Sequence, residues 1–91
     1  MAEAWLPGRL VLVAGASRGI GAATAKALAA AGAGVVLAAR DGDAIERLAS
    51  AIRAAGGDAA AVAADLGSEQ EIARLFTAVA KVGRLEALVY C

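Results

Sequence analysis

Ninety-one residues, with nine basic and nine acidic side chains, no histidine and one cysteine, make one domain at most and exclude several classes at once. Balanced charge lacks the clustered basic excess of a nucleic-acid footprint, a lone cysteine supplies neither a disulfide framework nor a metal-ligand set, and the apolar runs are too short to cross a bilayer. With 60% hydrophobic residues, 28 of them alanine, and an N-terminal MAEAWLPGR that lacks a signal-peptide layout, the expectation is a cytoplasmic chain with a helical core light in large side chains.

The first apolar run, Leu10 to Ala14, follows a turn-like LPGR and reads as a strand. A helix is expected from Gly19 to Ala31, stopped by Gly32. GVVLAA (Gly34 to Ala39) forms the second apolar run. The next helix carries Ile45, Leu48 and Ile52 on one face, ends at Gly56-Gly57, and has Asp43 and Glu46 at capping-box spacing. A weaker run spans Ala59 to Ala64. Ser68 and Glu71 then give the S-x-x-E capping box of a third helix. Ile72, Leu75, Phe76, Val79 and Val82 trace its apolar stripe as far as Gly83. A last run, Glu86 to Tyr90, closes the pattern.

None of the apolar runs alternates with polar residues, as fits strands covered on both faces. The order β-α-β-α-β-α-β therefore predicts an α/β fold with a parallel sheet and right-handed crossovers. Strand order 3-2-1-4 is expected, with the first two helices on one face and the third alone on the other.

The first strand-to-helix turn holds three glycines, in AGASRGIG. Gly15 suits a sharp turn off the strand, Gly19 lets a ligand approach the backbone where the helix begins, and Gly21 lets helix and strand pack closely. A helix N-terminus presents unpaired N–H groups and partial positive charge, which suits a diphosphate. No G-K-[S/T] follows, so this is not a Walker A loop. The spacing is G-x-x-x-G-x-G, not the commoner G-x-G-x-x-G.

AGASRGIG resembles the T-G-x-x-x-G-[I/L]-G motif of the short-chain dehydrogenase/reductases. VVLAAR, ADL and LEALVYC extend the likeness along the whole chain. Together GASRGIG and VVLAAR look most like the 3-oxoacyl-carrier-protein reductases and related carbonyl reductases. The resemblance implies half of a doubly wound, Rossmann-type fold. In it, Gly15, Ser17, Arg18, Gly19, Ile20 and Gly21 would form and line the diphosphate turn. Asp65 would accept a hydrogen bond from the adenine amino group, with the Leu66 backbone beside it. Ala14 stands where the family usually has Thr.

The end of the second strand bears on the choice of nicotinamide cofactor, because an acidic residue there would repel a 2′-phosphate. Ala39 occupies the position where NAD-preferring members of the family carry Asp, and Arg40 follows. Arg40 and Arg18 can both meet a phosphate through charge-assisted hydrogen bonds. Asp41 is better placed near the next helix N-terminus. NADP(H) is the expected cofactor.

The resemblance also implies catalysis by a Ser, a Tyr and a Lys, the last two in a Y-x-x-x-K unit. Tyr90, the single tyrosine, has one residue after it and cannot be that acid/base. No catalytic residue is therefore expected among these 91 residues. The expectation is a single truncated dinucleotide-binding domain, the front portion of an NADP(H)-dependent oxidoreductase that is a homo-oligomer at full length. Alternatively, it is a non-catalytic dinucleotide-binding or sensing module that assembles with another chain. The fourth strand is expected to be a bare apolar edge that promotes association.

Overall fold

A computed structural model describes residues 8–17 and 19–91. It contains β1 (Leu10–Ala14), α1 (Gly19–Ala30), β2 (Gly34–Ala39), α2 (Gly42–Ala54), β3 (Asp58–Ala63), α3 (Glu69–Val82) and β4 (Leu85–Tyr90). The strands form one parallel sheet in the order β3-β2-β1-β4. Element order and strand order are those expected of a Rossmann-type sheet. Parallel pairing places all four strand C-termini at one end, with Ala14 opposite Ala38 and Tyr90, and Ala39 opposite Ala63.

Side chains on a strand alternate between its two faces, and in the two central strands both faces are covered. Val11, Val13, Val35 and Leu37 pack against α1 and α2, which contribute Ala25, Leu28, Ile45, Leu48 and Ile52. Leu10, Leu12, Val36 and Ala38 face the other way, toward Leu75 and Val79 of α3. This is why Leu10 to Ala14 shows no polar alternation: all five residues are buried. The small alanines of α1 let that helix lie close to the sheet. The larger fully buried side chains are Leu, Ile and Val only, with Leu12, Leu37, Ile45 and Leu75 foremost.

Two details differ from expectation. The N-cap of α2 is Asp41, not Asp43: Asp41 Oδ1 accepts a hydrogen bond from Ala44 N at 3.0 Å. Asp43 falls in the first turn, and Glu46 pairs instead with Arg53 at 2.8 Å. Asp41 thus serves the helix N-terminus, as its position after Arg40 suggests. The apolar stripe of α3 is only half covered, since Phe76 is 41% and Val82 54% exposed. The lone helix on its face has the sheet to cover Leu75 and Val79, and no second helix beside it among the described residues.

The sheet's outer strands differ in their surroundings. On β3, the Ala59 carbonyl accepts from Arg53 at 2.7 Å, and the Ala63 carbonyl accepts from Arg74 at 2.6 Å. On β4, Leu88 is 52% and Tyr90 75% exposed. An exposed Arg9–Glu86 pair at 3.2 Å ties the starts of β1 and β4. No helix among the described residues is long and apolar enough to cross a membrane.

Candidate functional site

The ends of β1, β2 and β3 carry the candidate residues. The β1 ladder runs on into the turn, where Gly15 N donates to the Ala38 carbonyl at 2.8 Å and Ala16 N to the same oxygen at 3.3 Å. Gly15 has φ +80°, a left-handed conformation that side chains disfavour. A Cβ there would also come within 2.5 Å of the Cys91 carbonyl oxygen. Cys91 N in turn donates to Ala14 O at 3.0 Å, so the β4 end braces the turn from the side. That brace is not obvious from the motif; the parallel register of Ala14 with Tyr90 is what puts Cys91 there.

Gly21 is buried in the first turn of α1, and a Cβ on it would overlap the Gly15 carbonyl. The helix start therefore sits directly on the turn. Gly19 is the opposite case: its φ is +63°, and the space around its missing side chain is open to 4 Å. Gly15 and Gly21 let the protein close on itself, and Gly19 leaves a bare backbone facing outward. Ile20 beside it is 79% exposed, an apolar side chain on the rim of the turn, and Ser17 is half-buried within it. The first turn of α1 has no acidic residue to compete with an anion. Arg18, an expected phosphate ligand, lies outside the described residues.

Arg40, directly after β2, is exposed, and its Nε lies 4.0 Å from Asp65 Oδ1. Asp65 follows β3, where Ala64 N continues the ladder to the Ala39 carbonyl at 3.0 Å. The Asp65 carboxylate also accepts from Gly67 N at 2.9 Å, and its main-chain carbonyl accepts from Ser68 N at 3.1 Å. Leu66 is partly buried and packs against the α3-side core, the cluster that holds Leu12 and Val36. Ser68 caps α3, as its box implies, by accepting from Glu71 N at 3.3 Å.

The other half of that box is diverted. The Glu71 carboxylate reaches past Ser68 and accepts from Asp65 N at 3.0 Å. This main-chain hydrogen bond, with the Arg74 guanidinium next in weight, holds the Glu71 carboxyl below the ordinary carboxylate value. The motif gives Glu71 only a capping role; its contact with Asp65 appears once the loop is folded.

Clefts of about 530 and 500 Å³ lie at the opposite end of the sheet, between the C-terminal ends of α1 and α2 and beside the strand starts. They include none of the candidate residues. The glycine turn, Arg40 and Asp65 instead follow β1, β2 and β3 at the C-terminal end of the sheet, the end at which open α/β sheets usually take ligands.

The family profile of the short chain dehydrogenases matches residues 9–91. The short-chain reductase protein NovJ of Streptomyces niveus is 42% identical over 83 residues, which is 90% of this chain and 32% of that protein. A rhamnolipids biosynthesis 3-oxoacyl-acyl-carrier-protein reductase of Pseudomonas aeruginosa is 45% identical over 85 residues, or 92% of this chain and 33% of that protein. Among solved structures, a metagenomic short-chain oxidoreductase in complex with NADP matches with a TM-score of 0.87 at 44% identity. The match covers 91% of this chain and 38% of that one. The chain thus spans about a third of the length of these relatives. That profile covers nearly every described residue, the glycine turn closed by Gly15 and Gly21 sits in a 3-2-1-4 parallel sheet, and the chain belongs to the short-chain dehydrogenase family.

Proposed function

We propose that this chain is the NADP(H)-binding portion of an oxidoreductase acting between a carbonyl and an alcohol. The observation that carries the reading is the bare, outward-facing Gly19 backbone at the start of α1, held by a turn that Gly15 and Gly21 alone permit. That cradle is one a Cβ would begin to fill, and it fits a diphosphate. Gly15, Ser17, Arg18, Gly19, Ile20 and Gly21 hold the diphosphate in this reading. Asp65 and the Leu66 backbone take the adenine, and Arg40 takes the 2′-phosphate. The metagenomic relative's complex with NADP and the 3-oxoacyl-acyl-carrier-protein reductase among the relatives support it.

When bound, the dinucleotide supplies the hydride. What this chain's residues contribute is binding and orientation. The end of β2 offers Ala39 and Arg40 rather than a carboxylate, which favours a 2′-phosphate. The acid/base residues of the reaction are not assigned to any of these 91 positions. The exposed free thiol of Cys91 suits a reducing, cytoplasmic setting.

The alternative, a non-catalytic module that assembles with another chain, draws its support from the exposed Leu88 and Tyr90 of β4. Titration with NADPH and NADH, followed by calorimetry, tests the binding claim shared by both readings. NADPH is expected to bind about tenfold or more tightly than NADH, as a charged hydrogen-bonded phosphate contact warrants. Equal affinities would remove the NADP(H) preference, and no binding of either would remove the function. Turnover of a carbonyl substrate by the native protein separates the enzyme from the assembling module.

A further inference from the structure

We infer that Glu71 is a positioning residue that sets Asp65 for recognition of the adenine edge, an inference that rests on the reading of Asp65 given above. In an ordinary capping box the Glu side chain returns to the N–H of the capping Ser. Here the Ser68 N–H is already used, donating to the Asp65 carbonyl at 3.1 Å. Glu71 Oε1 goes three residues further back and accepts from Asp65 N at 3.0 Å.

Both main-chain polar groups of Asp65 are thereby tied to the start of α3, while its Oδ1 accepts from Gly67 N at 2.9 Å. Arg74, one turn along the helix, completes the brace. Its guanidinium donates to Glu71 Oε1 at 3.3 Å and to the Ala63 carbonyl at 2.6 Å, two residues before Asp65. The loop between β3 and α3 is thus strapped on either side of the one carboxylate assigned to the adenine. A binding side chain held through its backbone in this way keeps its geometry without a large buried core beneath it.

A structural role alone would lower stability and weaken every nucleotide alike. A positioning role would change how well the protein tells one base from another. The test is therefore a ratio, measured on the full chain by calorimetry: affinity for NADPH over affinity for its hypoxanthine analogue, which has a carbonyl in place of the 6-amino group. The native protein is expected to prefer NADPH about tenfold, the worth of one hydrogen bond to a charged acceptor.

Glu71→Ala is expected to bring that ratio close to one, while the NADPH-to-NADH ratio set by Arg40 stays as in the native protein. Glu71→Gln keeps an acceptor oxygen for Asp65 N and is expected to retain most of the base preference. Glu71→Asp keeps the charge but retracts the oxygens by one methylene. It is expected to lose the preference too, and it replaces the alanine variant if that fails to fold. A base ratio unchanged in the Ala and Asp variants overturns the positioning role and leaves Asp65 as the adenine acceptor. A native protein that binds both bases equally overturns the Asp65 assignment and this inference with it. A native protein that binds neither nucleotide overturns the proposed function itself.

Discussion

Arg40 Nε and Asp65 Oδ1 stand 4.0 Å apart across the ends of two adjacent strands, with the Arg40 side chain largely in solvent and that of Asp65 half exposed. An exposed pair at that distance is strongly screened and is worth about 0–1 kcal/mol. The guanidinium can therefore turn to a phosphate at little expense to the folded chain. The two groups assigned to opposite ends of one adenosine 2′-phosphate, its base and its phosphate, begin as neighbours.

Arg40→Ala is accordingly expected to leave the melting temperature nearly unchanged and to weaken NADPH binding about 10–100-fold, the range for a lost charge-assisted phosphate contact. NADH affinity is expected to stay within about twofold. Parallel calorimetric titrations with the two nucleotides check this.

The glycines are expected to separate into two kinds. Gly19→Ala meets open space and bears only left-handed backbone strain of about 1–2 kcal/mol. Gly21→Ala drives a Cβ into the Gly15 carbonyl, so the turn itself must shift. Thermal melts should show the larger loss for Gly21→Ala. Nucleotide titration should show that Gly19→Ala, though folded, binds poorly.

The core is thin enough for single methylenes to be felt. Ile45 is fully buried between α2 and the sheet. Ile45→Val is expected to cost about 0.5–1.5 kcal/mol, read from urea denaturation midpoints, without altering nucleotide affinity once folded. A cost near zero would mean that α2 packs more loosely than its buried face indicates.

Acid should loosen the strap on Asp65. The folded-state value of Glu71 is lowered, chiefly by the Asp65 N–H, so its contribution is present above the ordinary carboxylate value of about 4.3 and disappears as pH falls through the lowered value. Melting curves of native protein and Glu71→Gln should differ by a constant amount above the ordinary carboxylate range and converge as pH falls through the lowered value. Parallel curves down to the acid limit would contradict the lowered Glu71 value.

The exposed side chains of β4 are expected to make the 91-residue chain self-associate. Leu88→Lys adds a charge at a position already 52% exposed. It should shift sedimentation profiles toward monomer. A native chain that sediments as a monomer and melts in one sharp transition would contradict this.

The sheet was legible in the sequence because its central strands are apolar on both faces and its helices end in glycine; these are local signals. The α2 cap was not, because D-G-D offers two aspartates. The choice between them depends on where β2 releases the chain and on Gly42 fitting against Ala63, 3.2 Å from where its Cβ would be. The stripe from Ile72 to Val82 has helical period, but period alone cannot say which of its residues are buried; Phe76 and Val82 stay partly exposed. Gly15 was expected to make a sharp turn and Gly21 to pack closely. The carbonyls they pack against belong to partners that only register and helix docking bring near. Glu71 was hidden for a related reason: its motif describes a helix end, whereas its hydrogen bond belongs to the loop before it.

The unequal outer strands have a consequence for symmetry. Guanidinium groups from Arg53 and Arg74 already occupy carbonyls near both ends of β3, so a strand pairing along that side has to displace them. If the 91-residue chain self-associates through β4 as expected above, the same strand of each copy meets in a twofold arrangement that stops at two. Head-to-tail stacking, the route to a fibre, needs two receptive sides on every copy. In the 91-residue chain the two arginines weigh against a second.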